Sequence, residues 1–318
     1  MDESRRAMST RAVVEGAIFA AIAMALYLLG NATQMIIILA YPVPAALIAQ
    51  RHGLRAGVMA SLVAAIGIGM TLGPIHGLIS LMIIGVPGVV LGLCIKKGLG
   101  WASSTAITGA VLGITTVADF ILGAYAIGIT PQKSLEELKL AITASMDATK
   151  ALYERLNVGP EVMAQLEAMA GQMSYAIGRL LPAMVAISSL MTALVAYSIT
   201  RAVIVRMKGK AQAVTPFGEW MMPIWLMWAP IAGLALPLLG TYLKMDWLSY
   251  IGNNLFTGAM MLYMVHALSL LWFLLAAKGV PKFLRFVICG FLYLTPLTSS
   301  LMPYAGVLDS FYDFRKLR

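Results

Sequence analysis

Long apolar runs separated by short charged connections recur along the whole chain. A helix needs about 20 mostly apolar residues to cross the hydrocarbon core of a bilayer. On that measure the pattern predicts membrane segments at 12–30, 33–50, 54–73, 76–95, 101–129, 178–205, 221–243, 250–277 and 283–303. The first eight read as full crossings. The ninth carries Pro296 and Pro303 and reads either as a broken crossing or as a segment that enters and returns.

One sizeable polar stretch, 131–177, interrupts the series. Thr130-Pro131 opens it, and Ser134 with Glu137 has the spacing of a capping box. Leu135, Leu138, Ile142, Ser145, Thr149, Leu152 and Leu156 then recur at three- and four-residue steps. Asn157-Val158-Gly159-Pro160 breaks the run, and Met163, Leu166, Met169 and Met173 line one face of a second helix. The prediction is a helical hairpin outside the membrane. It is either a packed lid or a gate or docking surface, since methionine-rich faces adapt to both.

Composition agrees with lipid as the main solvent. Hydrophobic residues make up 60% of the 318 and charged residues 12%, about half the charge of a soluble domain. The formal charge of +9 would raise the question of nucleic acid in a soluble protein. Here the basic residues sit at segment ends, with no basic helix interleaved with aromatics, so no nucleic-acid partner is expected. Orientation follows from their asymmetry. One side collects Arg5, Arg6, Arg11, Arg51, Arg55, Lys96, Lys97, Arg201, Arg206, Lys208, Lys210, Lys278, Lys282 and Arg285. The other holds five between Lys133 and Arg179, and Lys244. The N-terminus is therefore expected in the cytoplasm. The first 25 residues resemble a secretory signal, but no cleavage site leading into a soluble domain follows, so they read as the first span. Nine full crossings would leave Phe311–Arg318 outside, against the basic Arg315, Lys316 and Arg318. A cytoplasmic or interfacial tail after an incomplete last span is preferred.

Ionisable groups within spans need a reason to be there. Glu15 lies in the first turns of span one, where it can snorkel or pair with Arg11. Asp119 lies ~27 Å along a helix that starts near Trp101, deep in the outer half of span five. Asn31, Thr33, Gln34, His76, Tyr125, Gln172, Tyr175 and Arg179 gather at the same depth. An Asp119–Arg179 ion pair lining an outward cavity, with Asn31, Gln34, His76, Tyr125 and Gln172 around it, is the candidate ligand site. The alternative is a structural pair tying two helices together. His266, midway in span eight, reads as a buried hydrogen-bonded histidine. Pro42-Val43-Pro44 and Gly85-Val86-Pro87-Gly88 interrupt spans two and four, as substrate sites of transporters often do and as packing kinks also do. Ala17, Ala21 and Ala25 form a small-residue stripe that admits another helix, of this chain or of a partner.

Catalytic signatures are missing. The chain has no phosphate-binding loop, no His-Glu-x-x-His, no Gly-x-Ser-x-Gly and no span with two acidic residues. With three histidines, and with Cys94 and Cys289 isolated in apolar runs, neither a metal site nor a cofactor is expected. An enzyme is not expected.

Two sets of residues carry a family resemblance. Pro216-Phe217-x-Glu219-Trp220-x-x-Pro223-x-Trp225, Gly252-Asn253-Asn254, Leu308-Asp309 and Asp313-Phe314-Arg315-Lys316 resemble the YybS-like family of uncharacterised bacterial membrane proteins, over essentially the whole chain. That family is itself similar to the substrate-binding S component of energy-coupling-factor (ECF) vitamin transporters, and the stripe Ala17, Ala21 and Ala25 looks like the S-component face that meets a coupling protein. The resemblance implies a bacterial inner-membrane protein, with an ECF-type coupling protein and ATPase as partners in trans. S components end after six helices, and the extra helices here could cover the docking face. Phe217, Trp220, Trp225 and Trp228 also read as an aromatic belt at the cytoplasmic interface.

The expectation is thus an all-α integral membrane protein: a six-span S-component-like block, 1–206, including the hairpin 131–177, and a C-terminal block, 207–318, with two full spans and a third that is either full or incomplete. Binding or transport of a small molecule in the outer half is the leading function. The alternative is a membrane scaffold or regulatory partner with no transported ligand.

Overall fold

A computed structural model describes residues 9–33, 39–156 and 159–316. Among them every regular element is helical and none is a strand. Seven helices are long and apolar enough to cross a membrane, or up to eight if one bent pair counts as a single crossing. The chain is an all-α integral membrane protein. It divides into two compact units: Met1–Ser134 with Ser188–Val214, and Leu135–Ile187 with Thr215–Arg318.

The first unit contains α1 (Thr10–Thr33), α2 (Val43–His52), α3 (Leu54–Leu72), α4 (Pro74–Ser80), α5 (Val86–Lys96), α6 (Trp101–Ala126) and most of α9 (Leu181–Arg206). Small residues set its packing. On α1 the buried seam is Ala12, Gly16, Ala20, Ala23, Tyr27 and Gly30, at three- and four-residue steps, and Gly16 faces Ala60 of α3. Ala17, Ala21 and Ala25 lie outside this seam and are exposed.

The second predicted span is not a full helical crossing. Pro42 and Pro44 delay the helix to Val43, and α2 has 10 residues, about 15 Å or half of a hydrocarbon core. Its residues 43–49 are nevertheless all buried. Arg51 and His52 at its end contact Glu15, whereas Tyr41 before it reaches the backbone of Tyr27. Residues 41–52 therefore run back along α1 from its Tyr27 turn to its Glu15 turn. A half-helix is tolerated at that depth because protein surrounds it. On α5, Gly88 and Gly92 let the two backbones meet: a Cβ on Gly88 would stand 2.6 Å from Ala45 Cβ, and one on Gly92 would stand 2.8 Å from Ala49 Cβ.

The break expected in span four takes the form of a π-helical turn, Leu81–Gly85, joining α4 to α5 ahead of Pro87. The wider turn absorbs the hydrogen bond that proline cannot donate without ending the helical run.

The second unit contains α7 (Pro131–Arg155, from Leu135), α8 (Pro160–Tyr175), the start of α9, α10 (Trp228–Leu243), α11 (Asp246–Ala277), α12 (Lys282–Leu294) and α13 (Pro296–Tyr312). The hairpin forms as predicted from the sequence pattern. Lys150 pairs with Glu167, and Lys139 Nζ would lie 3.1 Å from a Cβ on Gly178, so α7 and α8 run antiparallel in one register. The Glu167 hydrogen bond, and then its charge, hold the Lys150 ammonium pKa above the ordinary lysine value. No residue of α7 is buried.

A second π-helical turn, Ala176–Leu180, joins α8 to α9 just before Pro182. Asn254 of α11 mends the ladder there. Its Nδ2 donates to Arg179 O at 2.7 Å, and its Oδ1 accepts from Ala183 N at 3.0 Å. An ordinary helix would join those two backbone groups directly.

The last predicted span is bent. α12 and α13 meet at 106° across Thr295, held extended by the following proline. α13 runs parallel to α11: Gly306 abuts Tyr263 and Ala267, Asp309 meets His266, and Arg315 meets Ser269. The tail thus closes against the part of α11 that leads towards Lys278.

Candidate functional site

Each unit has a polar cluster built on buried side chains, Tyr27 in the first and His266, Asp309 and Arg315 in the second. In the first, Tyr27 is carried inward by the small-residue seam of α1 and is 6% exposed. Its hydroxyl lies 3.2 Å from His76 Nδ1, in the first turn of α4. Tyr41 packs on it at a centroid distance of 5.6 Å and donates to Tyr27 O at 3.4 Å. Asp119 of α6 lies within charge range of the Tyr27 phenol. Its Oδ1 is buried and has no hydrogen-bond partner among the described residues. Leaving a buried carboxylate oxygen unpaired costs free energy.

The second cluster is more fully enclosed. His266 and Asp309 side chains have no exposed surface, and His266 Nε2 lies 2.8 Å from Asp309 Oδ2. Arg315 Nη2 donates to the same carboxylate oxygen at 2.7 Å, and Nε does so at 3.1 Å. Its remaining donors reach Gly218 O at 2.7 Å, Ser269 Oγ at 2.8 Å and Trp220 O at 3.0 Å. Phe314 N caps Asp309 Oδ1 at 3.0 Å. Arg315 Nη2 also lies 2.7 Å from His266 Nε2, while Nδ1 faces Ser310 Oγ at 3.3 Å. One imidazole nitrogen therefore stands between a donor that cannot accept and a carboxylate that cannot donate. Neutral His266 with its proton on Nδ1 accepts from Arg315; doubly protonated His266 donates to Asp309.

Residues 17–310 match the family described as "Predicted membrane protein (DUF2232)". The chain belongs to this family. The match takes in the first cluster whole, and His266 and Asp309 of the second, and stops short of Arg315. No curated protein and no solved structure matches the chain.

For this DUF2232 protein, the site predicted from sequence is only partly assembled within one unit. His76 and Asp119 gather with Tyr27 and Tyr41. Asn31 and Tyr125 are in the same unit but exposed, and Gln34 lies outside the described residues. Gln172 and Arg179 belong to the second unit and are exposed there; the Arg179 carbonyl serves the Asn254 bridge. Sequence reading missed Tyr27 and Tyr41, although Tyr27 falls on the three-four spacing of Ala20, Ala23 and Gly30. His266 has the buried, hydrogen-bonded role expected of it, but its partners Asp309 and Arg315 were not foreseen. No group of three metal-ligating side chains occurs among the described residues.

Proposed function

We propose that this membrane protein binds a small molecule, as part of transport or delivery, at the Tyr27–His76–Asp119 cluster of its first unit. The observation that carries the reading is the buried, unpartnered Asp119 Oδ1 beside the Tyr27–His76 pair. A bare carboxylate oxygen in a dry site favours a ligand that brings a cation or an N–H or O–H donor. With the basic side in the cytoplasm of a bacterium, the cluster lies in the outer half of the inner membrane.

The resemblance to S components supports the same reading. The first unit gathers material from spans one to six, and Ala17, Ala21 and Ala25 are exposed, as a face for an ECF-type coupling protein and its ATPase would be. In this reading the protein is a binding component and no enzyme, with α10 to α13 as an addition of its own.

Native mass spectrometry of the purified protein in nanodiscs tests the proposal. A small molecule retained by the wild type and lost in Asp119→Asn, at unchanged thermal stability, supports it. No retained molecule, with Asp119→Asn changing only stability, sinks it.

A second reading, a scaffold or regulatory partner, is favoured by the hairpin, whose Leu138, Leu140, Leu152 and Leu156 remain exposed. Purification with a stable protein partner and no small molecule would select it.

A further inference from the structure

The geometry points to a second site, separate from the Asp119 cluster: a phosphate-binding cavity at the Glu15 end of the first unit. The cavity is about 360 Å³, within the range of small-molecule pockets. Its walls include Arg11 and Glu15 of α1, Gln50, Arg51 and His52 of α2, and Met207 and Gly209 after α9.

Glu15 organises the basic groups. It accepts from Arg11 Nε at 2.8 Å and from Arg51 Nη1 at 2.9 Å, and His52 Nε2 lies 2.9 Å from its Oε2. One carboxylate thus holds two guanidiniums, and the charge at the cavity wall stays positive. Each guanidinium also keeps a free edge. Arg11 uses only Nε and Arg51 only Nη1, so both Nη groups of Arg11, and Nη2 and Nε of Arg51, have no partner among the described residues. A guanidinium fixed by a carboxylate on one edge and open on another is suited to bidentate contact with a tetrahedral oxyanion. The half-buried Gln50 supplies a neutral donor beside them.

Phosphate satisfies this chemistry whether it is the headgroup of an anionic lipid or part of a soluble ligand. A lipid source fits the position of Arg11 at the first turn of a spanning helix, where basic groups meet anionic headgroups. A soluble source fits the open mouth of the cavity.

The test uses the full chain in phosphatidylcholine nanodiscs, with two arms. In one, phosphatidylglycerol is added and the lipids retained on the protein are counted by native mass spectrometry. In the other, inorganic phosphate replaces chloride at equal ionic strength and the thermal midpoint is followed. Binding in the first arm alone assigns a lipid headgroup, and a phosphate-induced shift in the second assigns a soluble ligand. In either case Arg11→Gln and Arg51→Gln weaken binding about tenfold or more, whereas Lys133→Gln, an equal change of charge, leaves it unchanged. Arg11 is 78% exposed, so its variant keeps the fold and carries the test if Arg51→Gln does not. Failure of both probes to bind wild type overturns the site. Wild-type binding in both arginine variants does the same.

Discussion

His266 and Asp309, 43 positions apart, meet at 2.8 Å with neither side chain exposed, and Arg315 closes over the same carboxylate oxygen. The tail of the chain is thereby anchored against α11 and the carbonyls of Gly218 and Trp220. Removing the carboxylate strands a buried guanidinium. Asp309→Ala should cost about 3–5 kcal/mol, read as a lower unfolding midpoint in detergent. The double variant Asp309→Ala with Arg315→Met should cost less than the single one; if it costs more, the pair is not what holds the tail.

Asn254 stands in for a helical hydrogen bond at the π-helical turn before Pro182. Asn254→Ala leaves Arg179 O and Ala183 N without that bridge and should cost about 1–3 kcal/mol. Hydrogen exchange should localise the effect, with the Ala183 amide losing protection first. Unchanged exchange at Ala183 would count against the bridge.

The close approach of α2 and α5 predicts a steric penalty. Gly92→Ala would place a methyl 2.9 Å from Gln50 N and should destabilise by about 1–3 kcal/mol. Gly290→Ala, where a Cβ meets nothing within 4 Å, should be nearly silent in the same unfolding assay.

The hairpin has a pH signature. The folded pKa of Lys150 is raised by Glu167 and that of Glu167 is lowered by Lys150, so the pair's contribution is fully present between the ordinary glutamate and lysine values, 4.5 and 10.5, and is lost as pH climbs through the raised lysine value or falls through the lowered glutamate value. Hydrogen exchange across α7 and α8, corrected for intrinsic rates, should stay level from about pH 5 to about pH 10 and rise beyond it. In Lys150→Gln the rise should vanish.

Much of this protein was legible as one-dimensional pattern. Hydropathy alone located seven helices that can cross a membrane, because each must satisfy its backbone internally and present apolar side chains to lipid. Residues 131–177 were legible as a hairpin because helical spacing and the Gly159-Pro160 break are local signals. One span misled for a local reason as well: hydropathy does not register that Pro42 and Pro44 shorten α2, whereas the prolines of the last span did announce the break at which α12 turns from α13 by 106°. Among site residues, His76 and Asp119 stood out because a polar group in an apolar run is conspicuous in a string of letters. Tyr27 did not, since a tyrosine among alanines looks like ordinary packing until α4 brings His76 to it.

The sequence by itself therefore determined the solvent, the helices and the residues too costly to bury without a purpose. Tertiary structure decided which of those residues meet. Asp309 and Arg315 lie in a tail that reads as polar and terminal, and α13 alone lays them against His266. Asn254 bonds a carbonyl 75 positions earlier. Burial penalties are read from composition along a chain, but hydrogen bonds are short and directional, and which groups come within 3 Å is set by how helices pack.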